Sequence, residues 1–111
     1  MNDIDVTFAA LADPTRRRVV ELLRERPLRA GEVAGFLGVS PPAMSRHLRA
    51  LRSGGLVDVE LSEDDGRARR YRLRPERFAA LQTWLSEVEG HWADQLGAFR
   101  EHAERGRGGS S

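Results

Sequence analysis

Apolar residues recur along the first half of the chain at helical spacing, and the interruptions between stripes fall at Pro and Gly. Val6, Phe8 and Leu11 make a short apolar run over 6–12 that predicts a first helix. Asp13-Pro14 reads as a helix start, with Asp as the N-cap and Pro at the first helical position. Val19, Val20, Leu22 and Leu23 continue that helix, which must end before Pro27. After a break over 27–30, Val33, Ala34 and Leu37 predict a short third helix closed by Gly38. Ser40 then caps a fourth helix whose first turn holds Pro41 and Pro42, where missing N–H groups cost nothing. Its apolar positions, Met44, Leu48 and Leu51, are spaced by four and three, and Gly54-Gly55 ends it in the manner of a left-handed cap.

Past Gly55 the period drops to two. Leu56, Val57, Val59 and Leu61 are strand-like, Asp65-Gly66 is a hairpin signal, and Ala68, Tyr71 and Leu73 fit a returning strand. Pro75 opens a long last helix with a stripe of Phe78, Leu81, Trp84, Leu85, Val88, Trp92, Leu96 and Phe99. The predicted fold is therefore mainly α with a small β-hairpin: a winged helix-turn-helix of about five helices plus a two-stranded wing. One domain is expected over 6–104, with a Gly/Ser-rich, disordered tail over 105–111.

Composition narrows the chemistry. The 111 residues suit one domain, and the absence of cysteine excludes disulfides, thiolate zinc sites and cysteine nucleophiles. No stretch approaches the roughly 20 apolar residues that span a bilayer, and the N-terminus lacks a basic signal-peptide region. A cytoplasmic protein without a membrane partner is expected. Net charge is only +1, but it is unevenly spread. Residues 40–55 hold Arg46, Arg49 and Arg52 and no acid; residues 67–74 hold five arginines and no acid; the stretch 78–104 is acidic. One face is thus suited to an anion and another is not.

The order helix, helix, Gly-containing turn, helix, basic hairpin is that of a helix-turn-helix unit with a wing. Its second helix would enter the major groove of double-stranded DNA. The outward positions there are Ser40, Ala43, Ser45, Arg46, His47 and Arg49. Arg can read guanine, Ser can take either hydrogen-bonding role, and Ala can touch a thymine methyl. Arg67, Arg69 and Arg70, at the hairpin tip and the start of its second strand, would reach phosphate or the adjacent minor groove. A winged-helix protein-interaction module without DNA binding is the alternative from another class, and the charge of this surface disfavours it. No nucleophile pattern, Gly-rich phosphate loop or paired-carboxylate motif suggests an enzyme.

The segment Leu11-Ala-Asp-Pro-Thr-Arg-Arg-Arg18 resembles the opening of the ArsR/SmtB family of winged-helix repressors. Ser40-Pro-Pro-Ala-Met-Ser-Arg-His-Leu48, the exit through Gly55-Leu-Val57, and the basic run from Arg67 to Arg74 resemble its recognition helix and wing. The resemblance covers about residues 7–104. It implies a homodimer built from the first and last helices, here through Phe8, Leu11, Trp84, Val88, Trp92, Leu96 and Phe99, and a palindromic operator released on a signal. Two departures stand out. Family members often carry Gln where this chain has Pro41, so base reading shifts to Ser45, Arg46 or Arg49. The paired cysteines that many metal-sensing members carry on the third helix are absent. Metal-sensing relatives place other ligands on the last helix, and Glu89, His91 and His102 match part of that pattern, whereas Arg105 breaks it. His91 and His102 lie roughly 16 Å apart along one helix face, so one metal could join them only across two antiparallel chains. Nitrogen and oxygen donors of this kind suit nickel, zinc or cobalt. The signal is thus a divalent metal, a partner protein, a small molecule at the aromatic interface, or none beyond concentration.

Overall fold

Capping chemistry sets the element boundaries. The structure, a computed structural model, describes residues 3–62 and 68–108. It consists of α1 (Asp3–Leu11), α2 (Pro14–Leu23), α3 (Ala30–Leu37), α4 (Pro41–Ser53), β1 (Val57–Ser62), β2 (Ala68–Leu73) and α5 (Pro75–Gly108). Asp13 caps α2 by accepting from the N–H groups of Thr15 (2.8 Å) and Arg16 (3.2 Å). At the C-terminus of α3, Gly38 adopts φ +66° and the Val39 N–H donates to the Ala34 carbonyl. At the C-terminus of α4, Gly55 adopts φ +76°, Leu56 N–H donates to Leu51 O, and Gly55 N–H donates to Arg52 O. That double closure is a Schellman motif, and it turns the chain directly into β1.

Helices α2, α3 and α4 pack on one another and on the hairpin. The core holds Ala10 of α1, Val19 and Leu23 of α2, Leu28, Val33 and Ala34, Met44, Leu48 and Leu51 of α4, and Leu56 and Val57. The hairpin is antiparallel, from Val57 opposite Leu73 to Ser62 opposite Ala68. Its base is pinned by a bridge that periodicity does not reveal. Tyr71 N–H donates to Leu28 O (2.7 Å), and Leu28 N–H donates to Tyr71 O (3.1 Å). In the first turn of α5, Arg77 reaches back over Gly55 to an ion pair with Asp3 of α1 at 2.8 Å.

The chain forms two units, one up to Ala79 and one from Ala80 onward. The second is the body of α5, whose described side chains are all at least partly exposed. Two expected limits move. The first helix begins at Asp3 rather than 6, because Asp3 and Asp5 place negative charge at its free N–H groups. Helix α5 continues to Gly108, past the 105 where composition placed a tail, since an established helix gains a hydrogen bond with each added residue. The hairpin tip, including Asp65, Gly66 and Arg67, and the residues after Gly108 lie outside the described residues. No described helix is long and apolar enough to cross a membrane.

Glycines with different surroundings give opposed predictions. A Cβ at Gly55 would meet the Arg77 side chain at 2.8 Å and sit on a left-handed backbone, whereas a Cβ at Gly35, inside α3, meets nothing within 4 Å. Gly55→Ala should destabilise by about 1–2 kcal/mol, and Gly35→Ala should stabilise by about 0.5–1 kcal/mol; urea unfolding measures both. The cap of α2 carries a pH signature. The hydrogen bond from the Arg16 N–H, helped by that from Thr15 and by the neighbouring His47 and Arg16 charges, outweighs desolvation and lowers the Asp13 pKa below its ordinary 3.8. A pKa depressed by folding adds stability above the unfolded value, and that gain is lost as pH falls through the folded value. Wild type should therefore exceed Asp13→Asn in stability at neutral pH, and the gap between their urea midpoints should close below about pH 4.

Candidate nucleic-acid interface

Helix α4 has two chemically distinct sides. Met44, Leu48 and Leu51 are at most 1% exposed and fix the inward side. Ser45, Arg46, Arg49 and Arg52 are exposed on the other. No acid occurs in the helix, so beyond the two exposed prolines of the first turn its outward side is cationic and polar. Ser40 is exposed, and its hydroxyl accepts from the Ala43 N–H at 3.4 Å, which commits it to capping. Ala43 is half-buried.

His47 sits differently from its expected outward position. It is half-buried, and its Nδ1 accepts from Arg16 Nε of α2 at 3.4 Å. A residue two positions beyond Ser45 lies roughly 200° around the helix, which turns it toward α2 rather than outward. Arg17 is also engaged: its guanidinium donates to the carbonyls of Leu11 (2.8 Å) and Ala12 (3.1 Å), satisfying the free end of α1. Of the three consecutive arginines, Arg18 remains exposed with no side-chain hydrogen bond or ion pair among the described residues.

The strand register reorganises the wing. Arg69 and Arg70 are adjacent in sequence and so point to opposite faces. Arg69 is exposed opposite Leu61. Arg70 lies opposite Glu60, and Arg72 lies opposite Asp58 and makes an ion pair with Glu60 at 3.7 Å. Arg70 and Arg72 therefore meet two carboxylates across the hairpin, and the field there is weaker than linear counting implies.

Two residues outside the sequence-based set join the surface. A cleft of about 180 Å³ between α4 and β2 is lined by Ser45, Leu48, Arg49, Arg52 and Tyr71. Arg52 follows Arg49 by three and Ser45 by seven, so helical spacing alone could have placed it with them. Tyr71 could not have been found that way, because its position depends on the bridge to Leu28.

The remaining candidates lie elsewhere. In the first unit, Phe8 is exposed and Leu11 half-buried. In the second, Trp84, Val88, Trp92, Leu96 and Phe99 are 36–73% exposed along α5. Glu89, His91 and His102 are exposed on the same helix, and His91 Nε2 lies 2.9 Å from Gln95 Nε2. Among the described residues, no three His, Cys, Asp or Glu side chains come together to hold a metal ion.

Comparison with known proteins agrees with this architecture. A helix-turn-helix domain family matches residues 11–60. The HTH-type transcriptional regulator Rv2034 of Mycobacterium tuberculosis is 39% identical over 97 residues, spanning 87% of this chain and 85% of that protein. An ArsR-like transcriptional regulator from Rhodococcus sp. RHA1 superposes with a TM-score of 0.75 at 30% identity, covering 89% of this chain and 91% of the other. A homodimeric winged helix-turn-helix DNA-binding domain of Mycobacterium bovis, described as a possible ArsR-family transcriptional regulator, gives 0.63 at 27% identity over 79% of each chain. With a capped, cationic second helix, a β-hairpin wing and these relatives, the chain belongs to the ArsR family of winged helix-turn-helix transcriptional regulators.

Proposed function

We propose that this regulator acts as a homodimeric repressor on a near-palindromic operator, with α4 of each subunit in the major groove and the wing against the neighbouring backbone. The observation that carries this reading is the acid-free row of Ser45, Arg46, Arg49 and Arg52, held outward by the buried stripe of α4. At least one of Arg46 and Arg49 reads a base edge, with Ser45 beside it; Arg69 and Arg70 supply charge from the wing. Occupancy of a promoter by such a dimer blocks polymerase. A gel shift on the DNA upstream of the protein's own gene tests the reading directly, and no binding there or to random duplex would favour a protein-docking module instead.

The dimer is supported by the exposed apolar stripe of α5 and by the homodimeric M. bovis neighbour. A two-fold axis places half-sites about one DNA turn apart. The metal reading is tied to the same contact. Within one chain the donors do not converge, so nickel, zinc or cobalt would need Glu89 and His91 of one chain with His102 of the partner subunit. Without a metal, the signal falls to an effector protein, a small molecule or protein concentration.

Base reading and charge contacts separate by experiment. For the base-reading arginine, replacement by Ala should cost about 1–3 kcal/mol on the operator and less on random DNA. Arg69→Ala should weaken both DNAs alike and flatten the salt dependence by about one unit of slope. Arg70→Ala should do so less, because Glu60 already offsets part of its charge. Anisotropy titrations across salt concentrations measure all three variants. For the dimer, Trp92→Glu places a charge in the apolar stripe and should sediment as a monomer; calorimetry of that variant should show no heat with nickel, zinc or cobalt, whatever the wild type shows.

A further inference from the structure

We propose that the cleft between α4 and β2 seats one phosphate of the operator strand, gripped by Arg49 and Arg52 with Tyr71 as a neutral donor. This deepens the operator reading and rests on it. It also divides the labour on α4: Arg46 reads a base, and Arg49 does not.

The lining is the first argument. Apart from the buried floor at Leu48, every residue of the cleft carries a donor: the Ser45 hydroxyl, two guanidinium groups and the Tyr71 phenol. It contains no carboxylate, and neither the Arg49 nor the Arg52 side chain makes a hydrogen bond or ion pair with another described residue. Two unpaired guanidinium groups one turn apart, beside two hydroxyls, match the geometry of a phosphate rather than of a cation or an apolar group. The exposed face of the hairpin differs, since Glu60 and Asp58 stand among its arginines.

The second argument is the shape of duplex DNA. A sugar–phosphate strand runs between each major groove and the next minor groove. A module that sets a helix in one and a hairpin beside the other must straddle that strand, and contacts to it fix register and orientation. The α4–β2 cleft is the junction between those two elements. Its wall on the β2 side is held rigidly, because both backbone groups of Tyr71 are bonded to Leu28. On α4, Ser45, Arg49 and Arg52 fall within roughly 60° of one another, while Arg46 lies a further 60° or so around, away from the hairpin. Arg46 is therefore the side chain left to face base edges.

The test uses the full-length protein and a duplex from its own upstream region. Wild type, Arg46→Gln, Arg49→Gln, Arg52→Gln and Tyr71→Phe are titrated over a range of salt concentrations, on that duplex and on random DNA. Circular dichroism confirms that each variant is folded, and Tyr71→Phe removes only a hydroxyl. Arg49→Gln and Arg52→Gln should each weaken both DNAs by the same factor, and the Arg49→Gln, Arg52→Gln double variant should lower the salt slope by about 0.9, the share of one phosphate. Tyr71→Phe should weaken both about threefold with an unchanged slope. Arg46→Gln should lose discrimination between the DNAs and keep its slope. One phosphate, replaced by a neutral methylphosphonate, should weaken wild type but not an Arg49→Gln, Arg52→Gln double variant. An unchanged slope in the double variant, or loss of discrimination in Arg49→Gln, overturns the phosphate seat while leaving operator binding intact. Failure of wild type to bind either DNA overturns the operator reading itself.

Discussion

Burial of Met44, Leu48 and Leu51 is the interaction on which the rest of this structure depends. These three side chains anchor α4 against α3, α2 and β1 and so fix its rotation about its own axis. Turning the helix by one residue would swing each exposed arginine through roughly 100°. Truncating one such core residue costs about 2–5 kcal/mol, against a total stability of about 5–15 kcal/mol for a domain. The exposed ion pair between Arg72 and Glu60 is worth at most about 1 kcal/mol. Apolar packing therefore sets the orientation of the cationic row, and the arginines on it are free to serve a ligand instead of the fold.

The ends of α4 translate that orientation into position. Pro41 and Pro42 fill the first turn, and Ser40 closes it, so the N-terminal end of the helix is preformed before any partner arrives. At the other end the Schellman closure at Gly55 leads straight to Leu56 and Val57, which are themselves buried. Helix α4 and the hairpin are thereby joined by three residues, one of them left-handed. Arg77 lies across that residue and ties the first turn of α5 to Asp3.

Local chemistry made most of the fold legible. Asp13-Pro14, Ser40-Pro41-Pro42, Gly38 and Gly54-Gly55 act within a few residues of themselves, and the structure places caps at each of them. The change from a period of three and four to a period of two at Leu56 located the hairpin for the same reason. What escaped depends on partners distant in sequence. The bridge from Leu28 to Tyr71, the Arg16 contact that draws His47 inward, and the carboxylates opposite Arg70 and Arg72 all require knowing which strand or helix lies alongside. Charge was the least transferable signal. A run of like residues along the chain becomes two faces of opposite surroundings once a strand register is imposed. The start of α1 was missed because its two acids look like a solvated terminus until they are seen as the charged first turn of a helix.

The Leu28–Tyr71 bridge also makes the hairpin a cantilever. Its inner rungs are held by the two hydrogen bonds between Leu28 and Tyr71 and by that from Arg74 N–H to Leu56 O, and Val57 is buried, while the described pairs farther out, such as Leu61 and Arg69, face water. A beam held this way transmits little of what happens at its free end back to the support. Substitutions at Leu61 or Arg69 can therefore accumulate without disturbing the core or the angle of α4. The outer rungs of the described hairpin are thus open to drift. Surface charge can change there while the helical framework stays under constraint.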